Sequence, residues 1–159
     1  MSTAMHEIGH SVQRYERGTL SSYKSAPKLL RESFGSFMGW YYCRKYYLDH
    51  GFIEPYPTYM INHNARQFWS SQSSSIYSPL FVDMVDGFNQ SLYYSGTPND
   101  CFENAPLTYI KTMADNCNDI DSIKGIVNSQ LSSFSATLSE SNDYFDNFYQ
   151  WIATFGLTY

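Results

Sequence analysis

Apolar residues recur along the chain at spacings of three and four, and no stretch alternates clearly at every second position. That period belongs to helices with one buried face, not to half-buried strands. The fullest run is Leu29, Leu30, Phe34, Phe37, Met38, Tyr41 and Tyr42, which predicts a core helix. Ser25 suits its N-cap and Pro27 its first turn, and it is expected to reach Asp49 or His50 and stop at Gly51. Gly35 and Gly39, four apart, form a smooth stripe along which another helix can approach closely. An earlier helix is expected over residues 3–16, with Arg14 and Arg17 at its end and Gly18 as the residue that closes it. Met1, Ala4, Met5, Ile8 and Val12 give it an apolar face beside His6 and His10. Residues 19–25 are polar and read as a loop.

Further on, residues 52–63 contain Pro55 and Pro57 and read as an irregular connection. Asn64 is a cap for a short helix to residue 70, and a serine-rich loop follows to residue 75. Ser78-Pro79 opens a helix expected over residues 79–92, with Leu80, Phe81, Met84, Val85 and Phe88 inward. Residues 94–103 form a loop, and Pro106 opens a helix to about Asp115. Asp119 or Asp121 caps the next, over residues 122–132, with Ile123, Ile126, Val127 and Leu131 on one face. The last helix covers residues 140–155, capped by Ser139 or Ser141, and buries Tyr144, Phe145, Phe148, Trp151 and Ile152. The expected fold is therefore mainly α: a compact bundle of about seven helices in a single domain over residues 1–159, without repeats or a visible boundary.

Composition narrows the function classes. With 43% hydrophobic and only 16% charged residues, the chain can bury a sizeable core, which argues against disorder. Ten Lys and Arg against a net charge of −5, with no basic run, give nucleic-acid binding little support. No run of about 18 apolar residues exists, so no membrane span is expected, and no signal peptide is visible. The localisation stays open, with a secreted or cell-surface setting expected if the chain belongs to a longer protein. Fifteen Tyr are an unusual share and suit either an outer core or a surface that contacts peptide or sugar. Cys43, Cys101 and Cys117 cannot all pair within one chain, although Cys101 and Cys117 could bridge across one helix.

The chemistry concentrates in His6-Glu7-Ile8-Gly9-His10. Positions i and i+4 of a helix share one face, so His6 and His10 can offer two imidazole nitrogens to one Zn²⁺. Glu7, beside His6, is placed to take a proton from a metal-bound water. The plain alternative is a solvated helical face that happens to carry these three residues. Small Gly9 permits close packing behind the metal.

A catalytic zinc site takes three protein ligands and keeps one position open. Glu32 is the first candidate for the third. It lies 22 residues after His10 on the core helix, and a connecting loop lets the two helices run antiparallel. A carboxylate among inward-facing apolar residues is costly unless paired or metal-bound. The alternative is a flanking ion pair with Lys28 or Arg31. Glu16 is the rival ligand, but Gln13 stands where a chain-turning glycine would be needed, so the helix should continue past it. His50 fits a helix C-terminal cap better, and His63 a polar loop residue. Tyr41, Tyr42 and His63 are candidates to stabilise an oxyanion.

His6-Glu7-Ile8-Gly9-His10 with Gln13 and then Glu32 in Arg31-Glu32-Ser33-Phe34 resembles a gluzincin metallopeptidase. Within that clan it is similar to the enhancin-like, mucin-targeting metallopeptidases, over roughly residues 4–45. The resemblance implies zinc held by His6, His10 and Glu32, with Glu7 activating water, and an extracellular peptide or glycoprotein substrate. Zincin catalytic domains place a twisted sheet before the motif helix, and here only five residues precede His6. The expectation is thus the helical part of a zincin catalytic domain without its upstream sheet, within a longer protein, or a degenerate relative. The competing reading is a non-catalytic glycan- or peptide-binding helical module with a vestigial zinc site.

Overall fold

The computed structural model describes residues 2–51, 78–87, 89–92 and 99–153. Among them there is no strand, and seven α-helices follow in order: α1 (Ser2–Glu16), α2 (Leu20–Ser25), α3 (Lys28–Asp49), α4 (Leu80–Asp83), α5 (Leu107–Asn116), α6 (Ile120–Ser129) and α7 (Leu138–Ala153). Short 3-10 turns occupy Gln90–Leu92 and Leu131–Phe134. The architecture is mainly α, as the spacing of apolar residues predicts. No described helix is long and apolar enough to cross a membrane. The expected helix over residues 64–70, the loops around it, His63, Phe88 and the side chain of Trp151 lie outside the described residues.

The chain clusters into two compact units, Met1–Lys24 with Lys28–Val82, and Ser25–Pro27 with Asp83–Tyr159. No composition shift in the sequence marks this division.

In the first unit α1 packs on α3. Of the predicted core side of α3, Leu29, Leu30, Phe34 and Phe37 are buried, Met38 and Tyr41 are half-buried, and Tyr42 is 42% exposed. Phe81 closes edge-on against Phe34 at 5.9 Å, and the Ser78 N–H donates to Ser33 Oγ at 2.8 Å, tying the start of α4 to α3. The expected apolar face of α1 is covered only in part. Ala4 is exposed, Ile8 is 47% exposed, and Met5 and Val12 are half-buried. The face turned inward is instead His6, Gly9, His10 and Gln13, at spacing i, i+3, i+4, i+7, with Gly9 and Gln13 buried and both histidines half-buried. The reason is steric. A Cβ added at Gly9 would lie 3.0 Å from Met38 Cβ and 3.3 Å from Gly35 Cα. Two glycines allow the helix axes to approach where Met5 or Ile8 would hold them apart, so the small face wins over the apolar one.

The segment expected as a loop between these helices contains α2. Gly18 turns the chain at φ +77°, and Thr19 then caps the next helix, its Oγ1 accepting the Ser22 N–H at 3.0 Å. Fewer than two turns of helix satisfy the backbone, and none of the six residues is fully buried. The far end of α3 behaves as expected. Gly51 adopts φ +72°, and His50 Nδ1 donates to the Tyr46 carbonyl at 2.8 Å, with its ring stacked on Tyr46.

The expected helix over residues 79–92 is not formed in full. The helix ends at Asp83, because the carbonyls of Met84 and Val85 turn to a different strand of chain. They accept the N–H groups of Ala105 and Asn104 at 2.9 and 3.1 Å. Leu80, Phe81 and Met84 are nevertheless buried and Val85 is half-buried, although the helix does not continue through them. Asp119 caps α6 through the Ser122 N–H at 2.6 Å. The cap of α7 is Thr137, not Ser139 or Ser141. Thr137 Oγ1 receives the Glu140 N–H at 3.3 Å and Glu140 Oε2 receives the Thr137 N–H at 2.8 Å, a reciprocal capping box. Ser141 is fully buried and donates to Asn128 Oδ1. Ile110, Met113, Ile123, Val127, Phe134, Phe145, Phe148 and Ile152 form the second unit's core. Tyr144 is buried among them and donates to Asp83 Oδ2 at 2.7 Å. All three cysteines are free, so Cys101 and Cys117 do not bridge.

Candidate metal centre

The inward face of α1 brings its two histidines over the Gly35 position of α3. A Cβ added at Gly35 would sit 2.9 Å from His6 Cε1 and 3.0 Å from His10 Cε1. The rings therefore rest on bare backbone, and only glycine leaves room for both. They meet edge to face, with centroids 4.6 Å apart and an interplanar angle of 89°.

Glu32, almost one turn before Gly35, completes the cluster. Its Oε2 lies 3.3 Å from His6 Nε2 and 3.4 Å from His10 Nε2, and the two Nε2 atoms are 3.0 Å apart. Among the described residues, His6, His10 and Glu32 are the group whose ligand atoms converge within 4.8 Å. The hydrogen bond from His10 holds the Glu32 carboxyl below its usual value, against the upward push of burial, with the charge of both histidines adding to the lowering. Glu32 thus stays anionic at neutral pH. The alternative pairing with Lys28 or Arg31 is not the one found. Arg31 instead lies over the Tyr23 ring, 5.0 Å from its centroid.

The triangle of donor atoms fits zinc. Bonds of about 2.0–2.1 Å in a tetrahedron place neighbouring ligand atoms roughly 3.3–3.4 Å apart. Two of the three edges, 3.3 and 3.4 Å, match that, and the third, at 3.0 Å, is the one drawn in by an imidazole–imidazole hydrogen bond. Two imidazoles and a carboxylate are also a donor set used by catalytic zinc. Three protein donors would leave a fourth position for solvent, and side-chain exposures of 20%, 17% and 27% for His6, His10 and Glu32 show that solvent reaches the cluster.

Glu7 is exposed and stands outside the converging group. Glu16 is exposed too. The helix runs on through it, as the absence of a glycine at Gln13 predicts. His50 is engaged at the end of α3, remote in sequence from the cluster and absent from it. Tyr41 packs on Phe37 at 5.6 Å and edge-on to Tyr42, and Tyr42 stands two turns, roughly 10 Å, past Gly35. The tyrosine that does reach the site is one that sequence reasoning passed over. Tyr23 OH lies 3.2 Å from His10 Nδ1. The signal for it was the pair Gly18-Thr19, a helix stop followed directly by a cap, which turns residues 20–25 into a helix and returns Tyr23 to α1.

The role of Gly35 gives a sharp expectation. Gly35→Ala should leave the metal-free protein folded, since both rings border solvent and can swing outward, and alanine favours the helix by up to about 1 kcal/mol over glycine. Zinc affinity should fall by at least ~10²-fold, because displaced ligands cost more than the 10–100-fold typical of an outer partner. Zinc titration beside a melting curve measures both halves. No protein family, curated protein or solved structure matches this chain.

Proposed function

We propose that this chain carries the zinc site of a metallopeptidase, with His6, His10 and Glu32 holding the metal. One observation carries the reading: three donor atoms from two helices, in a set and at separations that suit tetrahedral zinc, in a cluster that solvent reaches. The resemblance of the motif to gluzincins, and to the mucin-targeting enhancin-like members among them, supports a peptide or glycoprotein substrate.

Zinc, when bound, lowers the pKa of a coordinated water toward ~7 and polarises a carbonyl. The protein's own residues do the rest. Glu32 brings one negative charge, which the two neutral imidazoles do not. Glu7, exposed beside His6, is free to accept a proton and return it to a leaving amine. The Gly9 and Gly35 contact holds α1 against α3, so the ligands from separate helices keep their relative positions.

The direct test is metal content. Protein prepared without chelator is expected to hold about one zinc per chain by elemental analysis, and to cleave a mucin-type glycoprotein in a chelator-sensitive manner. A chain that takes up no zinc after reconstitution at neutral pH would remove the site. Glycan binding that persists in chelator, with no cleavage, would put a binding module in its place.

A further inference from the structure

We propose that Tyr23 is a positioning residue of this centre: its phenol oxygen accepts the Nδ1 proton of His10 and presets the tautomer that leaves Nε2 free for metal. The proposal rests on the metal reading above and adds to it the partner that orients one ligand.

A histidine binds metal through one ring nitrogen, and the hydrogen bond at the other nitrogen decides which one is available. In His10 the nitrogen facing His6 and Glu32 is Nε2, and the nitrogen facing Tyr23 OH, at 3.2 Å, is Nδ1. The Tyr23 ring approaches at 74° with centroids 6.5 Å apart, so it meets the imidazole edge where Nδ1 lies and does not cover its face. Two features fix Tyr23 there. Its N–H donates to the Thr19 carbonyl at 3.0 Å, in the helix that Thr19 caps. The Arg31 guanidinium lies over its ring, with Arg31 Nε making no hydrogen bond, so the aromatic face is the surface this cation rests on. Tyr23 and Arg31 are both half-buried, which strengthens such contacts.

The hydrogen bond from His10 to Glu32 needs a proton on Nε2 and belongs to the doubly protonated ring; in the neutral ring that would bind metal, a proton kept on Nδ1 by Tyr23 leaves Nε2 bare. A contact of 3.0 Å between two Nε2 atoms needs one donor and one acceptor. With the His10 proton on Nδ1, His10 Nε2 accepts and His6 Nε2 donates. His10 is thereby poised to bind, and only His6 has to move its proton when a metal enters. Among the described residues, no hydrogen-bond partner is found for His6 Nδ1, so the two histidines differ in preparation.

The experiment compares wild type, Tyr23→Phe and Tyr23→Leu. Long-range proton–nitrogen NMR spectra of the metal-free proteins report which imidazole nitrogen bears hydrogen. Competition with a chromophoric chelator reports zinc affinity. Wild type is expected to show His10 protonated at Nδ1 and His6 at Nε2. Tyr23→Phe, which keeps the ring and its Arg31 contact, should shift His10 toward the other tautomer and weaken zinc by 10–100-fold. Tyr23→Leu should weaken it to a similar degree, because the hydroxyl carries the effect. Wild-type affinity in Tyr23→Phe would overturn the positioning role and leave the metal site standing. Loss confined to Tyr23→Leu would overturn it as well, assigning the effect to packing. A wild-type protein that binds no zinc would overturn both readings together.

Discussion

Glu32→Ala should strip zinc from the protein, while Glu16→Ala should leave it bound. The two glutamates were the competing third ligands, and they differ in where the helices put them. Glu32 Oε2 stands 3.3 and 3.4 Å from the two Nε2 atoms. Glu16 lies at the exposed end of α1, in a helix that continues unbroken from His10. Six residues of helix advance the chain by roughly 9 Å, beyond the reach of a carboxylate bent back to the same ion. Removing Glu32 also removes the negative charge of the set and leaves two neutral imidazoles. The expected loss of affinity exceeds the 10–100-fold of an outer partner such as Tyr23. Zinc content after dialysis against a weak chelator measures it. Retention of zinc in Glu32→Ala together with loss in Glu16→Ala would reject the gluzincin-like ligand set.

Glu7→Gln should separate chemistry from metal. Glutamine keeps the shape and hydrogen-bonding capacity of the side chain and removes its basicity. Glu7 is exposed and lies outside the converging donor group, so zinc should stay bound and the melting temperature should not change. Cleavage of a glycoprotein substrate should fall by at least ~10²-fold, the usual scale for a lost general base. Turnover equal to wild type would exclude Glu7 as the base. Zinc lost along with activity would make Glu7 a ligand or the support of one, a role its position outside the cluster does not suggest.

The sequence alone was enough for everything that depends on spacing along one helix. The i, i+4 histidines, the core face of α3 and the unbroken course of α1 past Gln13 are consequences of 3.6 residues per turn and of a missing glycine. The same reasoning singled out Glu32, because a carboxylate set among buried leucines and phenylalanines needs a partner. What the sequence could not decide is which contacts between elements win. It set an apolar face of α1 beside the histidines, and the structure centres the contact on His6, Gly9, His10 and Gln13, because Gly9 and Gly35 let the backbones meet. It ran a helix through residues 79–92, and the carbonyls of Met84 and Val85 found donors at Ala105 and Asn104 instead. It left residues 19–25 as a loop, and so missed Tyr23, whose place beside His10 depends on the cap at Thr19 and the turn at Gly18. Periodicity reports how one helix divides its own surface. Which face is covered, and which side chain arrives from another element to set a ligand's proton, depends on steric fit and hydrogen bonds between residues far apart in the chain, and only the tertiary structure determines those.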